Sequence, residues 1–184
     1  EAGLEPEIGF IMFDAASTLD DIERNFGFLE RNRLLKRLGR TANLLYHDHI
    51  AFKGTAGYKT ALEQGMLIPK GWYGFEGHLL YHDPRVGWLA RIMRRICQLL
   101  LREMGNFSSP LCWMTESEQK EPHRTVNDHL VEIFKRLLQM ADSLSYIPEI
   151  AWTEELLCEL EDELQSALSR AKQKCKEQPV GLDP

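Results

Sequence analysis

The sequence LLYHDPRVGWLARIMRRICQLLLREM, residues 79–104, decides the fold class of this chain. From residue 84 onward its apolar side chains recur every three or four residues, which is the spacing of one helix face. Asp83 can cap the first turn, and Pro84 suits the first helical position. The apolar face consists of Leu89, Ile92, Met93, Ile96, Leu99, Leu100 and Met104. The sequence therefore predicts a long amphipathic helix from Pro84 to Met104.

Four arginines lie on the opposite side of this predicted helix, namely Arg91, Arg94, Arg95 and Arg102. A basic amphipathic helix can lie on an anionic membrane or pack into a groove of a partner protein. It can equally be a core-facing helix whose arginines are solvated or paired with acidic residues elsewhere in the chain. The sequence leaves both interpretations open.

The remaining patterns predict an all-α fold, a bundle of about five helices with a long C-terminal amphipathic helix. Helical spacing begins at Ser17 or Thr18 and returns at 40–52, 58–64 and 126–145, while 66–72 reads as a loop. Thr153 can cap the last helix, which runs to about Lys176. We divide the chain into an extended N-terminal arm (1–16), an N-terminal helical region (17–104), a connector (105–125), a C-terminal helical hairpin (126–176) and a tail (177–184).

The pentapeptide LLYHD occurs twice, at 44–48 and at 79–83. Four of the six histidines lie within or directly beside these copies, namely His47, His49, His78 and His82. If the two copies pack together, these histidines could bind a metal ion with nearby carboxylates, as inward-facing His and Glu do in other helical bundles. The Glu-x-x-His pair typical of such sites is missing, and no further ligands of a His-Asp phosphohydrolase can be identified.

Asp48 falls within the apolar stripe of the helix predicted at 40–52. A carboxylate in that position needs a partner, because burying an unpaired charge is costly. Asp48 is therefore either a structural residue, paired with an arginine or capping a helix, or part of a functional site.

Composition excludes several classes of protein. The chain has 184 residues and a net charge of -6, which argues against a nucleic-acid-binding protein. No apolar run is long enough to span a membrane, and no signal-peptide pattern is present. The four cysteines form no C-x-x-C pair, so we expect a reducing compartment inside the cell, with organelle association left open. Because the chain does not begin with Met, we expect it to be a processed or excised piece.

The stretch 42–52 contains Tyr46 followed by Asp48-His49. It resembles a helix of the type small-x-x-x-Tyr-x-x-x-Asp-His-x-x-aromatic from the peroxin eleven family, the peroxisomal membrane-elongation proteins, with a closer Tyr-to-Asp spacing. Residues 137–142 (LLQMAD), followed by Pro148, are similar to a later helix of that family.

This resemblance implies that the basic amphipathic helix shapes a membrane, at the peroxisome. Family members end in a glycine-rich apolar segment that enters the membrane, whereas residues 152–176 are charged here. The chain therefore departs from the family at the segment on which that role depends.

We carry three functional hypotheses forward. The leading one is a non-catalytic helical interaction or assembly subunit that binds other protein chains, and an anionic membrane surface is a further expected partner. The second is a peripheral membrane-remodelling protein resembling peroxin eleven, and the third is a metal-binding helical-bundle enzyme. The sequence carries no phosphate-binding glycine loop and no local nucleophile signature, so we expect neither catalysis nor a cofactor.

Overall fold

The computed structural model describes residues 8–71, 74–113, 121–146 and 150–177. Within these ranges the chain forms six helices and three strands. In order they are α1 (Leu19–Arg31), α2 (Leu38–Tyr46), β1 (Ile50–Phe52), α3 (Ala56–Glu63), β2 (Leu67–Lys70), β3 (Glu76–Leu79), α4 (Pro84–Met104), α5 (Glu121–Ser143) and α6 (Ile150–Glu177). The prediction of a mostly helical fold is confirmed. The all-α class and the count of five helices are wrong, because the chain also forms a small sheet and a sixth helix.

Helices α1, α2, α4, α5 and α6 form one unit, which we call the helical bundle. Helix α4 packs against α2, α5 and α6, and its predicted bounds are confirmed. Helix α1 begins with a capping box, in which Thr18 and Asp21 satisfy each other's backbone N–H groups. Its Phe26 stacks on Phe134 of α5, with 4.8 Å between the ring centroids. The predicted N-cap Thr153 instead lies inside α6, where its buried hydroxyl accepts a hydrogen bond from Trp88 Nε1.

The helix predicted across 40–52 ends at Tyr46. From His47 the chain is extended, because its backbone pairs with the N-terminal arm instead of continuing the helix. The N–H groups of Met12 and Phe13 both donate to the carbonyl of His47, and the N–H of His49 donates to the carbonyl of Phe13. Met12 and Phe13 are fully buried, so this pairing also anchors residues 8–16 of the arm to the core.

Strands β1, β3 and β2 form an antiparallel sheet in that order, and with α3 they make a second unit that we call the β unit. The inner face of the sheet packs on α3, where Ala51 and Leu67 meet Tyr58 and Ala61. Gly77 permits this close packing, since an added Cβ would lie 2.6 Å from Leu67 Cδ1. The loop predicted at 66–72 is therefore wrong over residues 67–70.

Some predicted segments fall outside the described residues. They are the first part of the arm (1–7), most of the tail (178–184), part of the connector (114–120) and residues 147–149, which include Pro148. Helix α5 begins five residues before the predicted boundary, so the connector is shorter than predicted. Among the described helices, none has the length and apolar character needed to cross a membrane.

Candidate functional site

The sheet brings the two LLYHD copies together. The first copy leads into β1 and the second begins in β3, and the β1–β3 register places Ile50 opposite His78. The Asp48 carboxylate, which closes the first copy, forms an ion pair with Arg94 of α4. His78 Nδ1 lies 3.9 Å from Asp48 Oδ2. The two copies and α4 therefore share one polar cluster of Asp48, Arg94 and His78.

Asp48 is the buried member of this cluster, with 8% of its side chain exposed. Burial lowers the pKa of Arg94, but an arginine keeps its charge at physiological pH, so the pair is ionic. Asp48 Oδ1 and His78 Nδ1 are buried without a hydrogen-bond partner in the described part of the chain. Arg94 thus supplies the compensation that a buried carboxylate requires, and the pair joins the first copy to the helical bundle.

A second polar pair connects the arm to the same region. His49 Nδ1 lies 2.6 Å from Asp14 Oδ2, and both side chains are nearly half exposed. Partial burial raises the pKa of Asp14, but hydrogen bonds from the Ala16 N–H and the His49 ring outweigh it, so the pKa of Asp14 is lowered. Burial and the charge of Asp14 both raise the pKa of the Tyr81 hydroxyl. The backbone N–H of His82 donates to the carbonyl of Ala15, so the arm contacts the second copy as well.

The four histidines predicted as metal ligands do not assemble into one site. His49 pairs with Asp14, His78 faces Asp48, and His47 Nδ1 is 2.9 Å from the carbonyl of Asn43 within α2. Across the described residues, no three His, Cys, Asp or Glu side chains are grouped so that they could hold a metal ion. The four histidines are thus not assembled into a metal site among the described residues, and metal binding by this chain stays a prediction.

The four arginines predicted to form a basic face on α4 make different contacts in the structure. Arg94 turns inward to Asp48, and Arg95 forms an ion pair of 2.6 Å with Glu161 of α6. Arg102 Nε donates to the backbone carbonyl of Gln98, while Arg91 is exposed. Helical periodicity identified the residues, but it could not indicate which carboxylates the neighbouring elements would present.

The outer face of the sheet, which points away from α3, was not predicted. The strand register places Phe52, Ile68 and His78 on it, and Leu80 follows on the same side. Phe52, Ile68 and Leu80 are 56%, 54% and 42% exposed. We call these four residues the outer sheet face. Its signal in the sequence was two short apolar runs, 50–52 and 66–68, which are too short to separate from a helix or loop pattern.

Comparison of the chain with protein families, characterised proteins and solved structures finds no match. The resemblance to the peroxin eleven family therefore stays a prediction.

Proposed function

We propose that this chain is a non-catalytic interaction subunit that binds another protein through the outer sheet face. The single observation that carries this proposal is that three apolar side chains of the outer sheet face are 42–56% exposed in the described chain, while His78 on the same face is turned toward Asp48. A sheet with one face in water normally alternates apolar residues inward and polar residues outward. Here three of the outward positions hold Phe52, Ile68 and Leu80, and a concentration of exposed apolar side chains on one surface is typical of a binding site.

An amphipathic helix of the partner fits this surface best. Three strands spaced about 4.8 Å apart span about 10 Å, which matches the diameter of an α-helix with its side chains. Added strands are less favoured, because edge strand β2 carries Pro69, which lacks the N–H needed for pairing. The Lys70–Glu76 ion pair of 2.7 Å lies on the same side of the sheet beside Phe52, and its two charges balance each other.

The test compares two variants with matched exposure. Ile68 lies on the outer sheet face and is 54% exposed, whereas Leu62 lies on α3 and is 53% exposed. We expect Ile68→Lys to weaken assembly about tenfold or more, since a charged side chain would have to be desolvated at the contact. We expect Leu62→Lys to leave assembly unchanged. The readout is the native mass of the tagged chain in an extract of its source cells.

Three outcomes would overturn the proposal. They are a monomeric native mass for the unsubstituted chain, equal effects of the two lysine variants, and a purified chain that dimerises by itself through the same face. Circular dichroism of both variants verifies that a lost assembly is not a lost fold.

The two other functions have less support. Membrane binding depends on the four arginines of α4, but Arg94 and Arg95 are engaged with Asp48 and Glu161. The metal enzyme depends on four histidines that form no metal-binding group among the described residues. If the purified chain floats with anionic vesicles, and if this binding is lost when Arg91 and Arg102 are made neutral, membrane binding would replace partner binding as the better-supported function.

A further inference from the structure

His78 is the polar member of the outer sheet face, and it lies on the middle strand. The strand register places Ile50 of β1 and Ile68 of β2 directly opposite it, one on each side. Side chains paired across strands in this way lie next to one another on one face of the sheet. A partner that covers the outer sheet face therefore covers His78 as well.

The two ring nitrogens of His78 have different surroundings. Nδ1 is buried and lies 3.9 Å from Asp48 Oδ2, the oxygen that also contacts Arg94. The side chain as a whole is 35% exposed, and Nε2 remains accessible without a hydrogen bond to any described residue. Nε2 is therefore the polar atom of this side chain that a partner meets.

The carboxylate of Asp48 decides which nitrogen of the neutral His78 ring carries the hydrogen. A hydrogen on Nδ1 points toward the negative oxygen, whereas a lone pair in that position is repelled by it. Arg94 already forms the ion pair with Asp48, so a neutral imidazole leaves no charge there uncompensated. With the hydrogen on Nδ1, Nε2 is a hydrogen-bond acceptor.

Covering the outer sheet face removes water from Nε2. A polar atom that loses water without gaining a hydrogen bond weakens the contact by about tenfold or more. Apolar side chains cannot supply that bond, so the partner needs a donor at this one point. Because Ile50 and Ile68 flank the ring, burying an ammonium or guanidinium group there is costly, and a neutral hydroxyl or amide is favoured.

We propose that the partner helix carries a hydroxyl or amide side chain within its apolar stripe, and that this side chain donates a hydrogen bond to His78 Nε2. The inference rests on the proposed function and names the chemistry by which the outer sheet face selects its partner. An apolar helix that lacks the donor leaves Nε2 unpaired, so it binds more weakly although its shape fits.

The test uses the complex that the tagged, unsubstituted chain forms in its source cells. The partner is purified from this complex and titrated by calorimetry against the full chain and its variants. We expect His78→Leu to weaken binding about tenfold, although leucine is more apolar, because the partner's donor loses its acceptor. We expect His78→Gln to bind within about threefold of the unsubstituted chain, since its amide oxygen can accept the same bond.

His47→Leu is the matched control. His47 is exposed at the end of α2, and its Nδ1 lies 2.9 Å from the carbonyl of Asn43, outside the sheet. We expect this substitution to leave the affinity unchanged. Circular dichroism verifies the fold of each variant, and His78→Gln separates the loss of the acceptor from altered packing against Asp48.

Two results would overturn this inference alone. Equal or tighter binding by His78→Leu would mean that the contact is purely apolar, and equal losses for His78→Leu and His78→Gln would mean that the shape of the ring matters and its acceptor does not. The proposed function stands in both cases if Ile68→Lys still weakens binding. If Ile68→Lys binds the partner as tightly as the unsubstituted chain, or if no partner is recovered, the proposed function fails and the inference fails with it.

Discussion

The helical bundle and the β unit differ most in how much apolar surface each one buries. Among the described residues the bundle core contains 33 buried hydrophobic residues, whereas the β unit has four, Ala51, Tyr58, Ala61 and Leu67. A three-stranded sheet with so small a core has little stability of its own. The β unit is therefore the part of the chain that depends on other contacts, those with the bundle and, in our proposal, those with a partner.

Because the bundle buries far more apolar surface than the β unit, we expect its core to contribute most of the free energy of unfolding. Phe134 is fully buried and stacks on Phe26, so Phe134→Ala removes a large core side chain and leaves a cavity. We expect the free energy of unfolding to fall by about 3–5 kcal/mol, as measured by urea unfolding followed by circular dichroism.

Leu67→Ala is the matching substitution in the β unit. We expect it to reduce hydrogen-exchange protection across residues 50–80, with a much smaller change in the global free energy of unfolding. An equal global loss for Leu67→Ala and Phe134→Ala would mean that the two units unfold as one, contrary to the comparison.

The ion pair between Asp48 and Arg94 joins the two regions, and we expect its loss to have the next largest effect on the free energy of unfolding. Arg94→Met leaves the buried Asp48 carboxylate without its cation, and we expect the free energy of unfolding to fall by about 3 kcal/mol. Adding Asp48→Asn removes that charge, so the double variant should recover much of the loss. A double-mutant cycle by urea unfolding measures this coupling, and strictly additive effects would contradict a compensated pair.

The smallest effect concerns Asp14 and His49, which connect the arm to the segment before β1. Because the pKa of Asp14 is lowered in the folded state, its contribution is complete above the ordinary value of 3.8 and disappears as pH falls through the lowered pKa. Both side chains are nearly half exposed, so we expect Asp14→Asn to cost only about 0.5 kcal/mol at pH 6.

Urea unfolding of Asp14→Asn and the unsubstituted chain at pH 6 and at pH 2 tests this dependence. We expect the difference between them to be smaller at pH 2, because the carboxyl of Asp14 is then protonated in the unfolded chain and its charge contributes less to folding. An equal difference at the two pH values would mean that Asp14 acts through packing and not through its charge.

The sequence by itself determined the helices whose signals are local. Helix α4 was predicted from Pro84 to Met104 because two local signals mark it, the spacing of its apolar residues and the Asp-Pro pair at its start. Both act on the backbone within a few residues of their own position. The sequence also identified Asp48 as a carboxylate in need of a partner, although the helical stripe from which this was predicted ends at Tyr46.

Only the tertiary structure decided the sheet and the identity of the partner of Asp48. Residues 40–52 carry a helical period, but strand pairing with the arm and with β3 overrides it after Tyr46. Arg94 and Arg95 look alike in the sequence, yet one turns to Asp48 and the other to Glu161. These contacts join residues far apart in the chain, and periodicity reports only which face a residue occupies, not which element will lie against it.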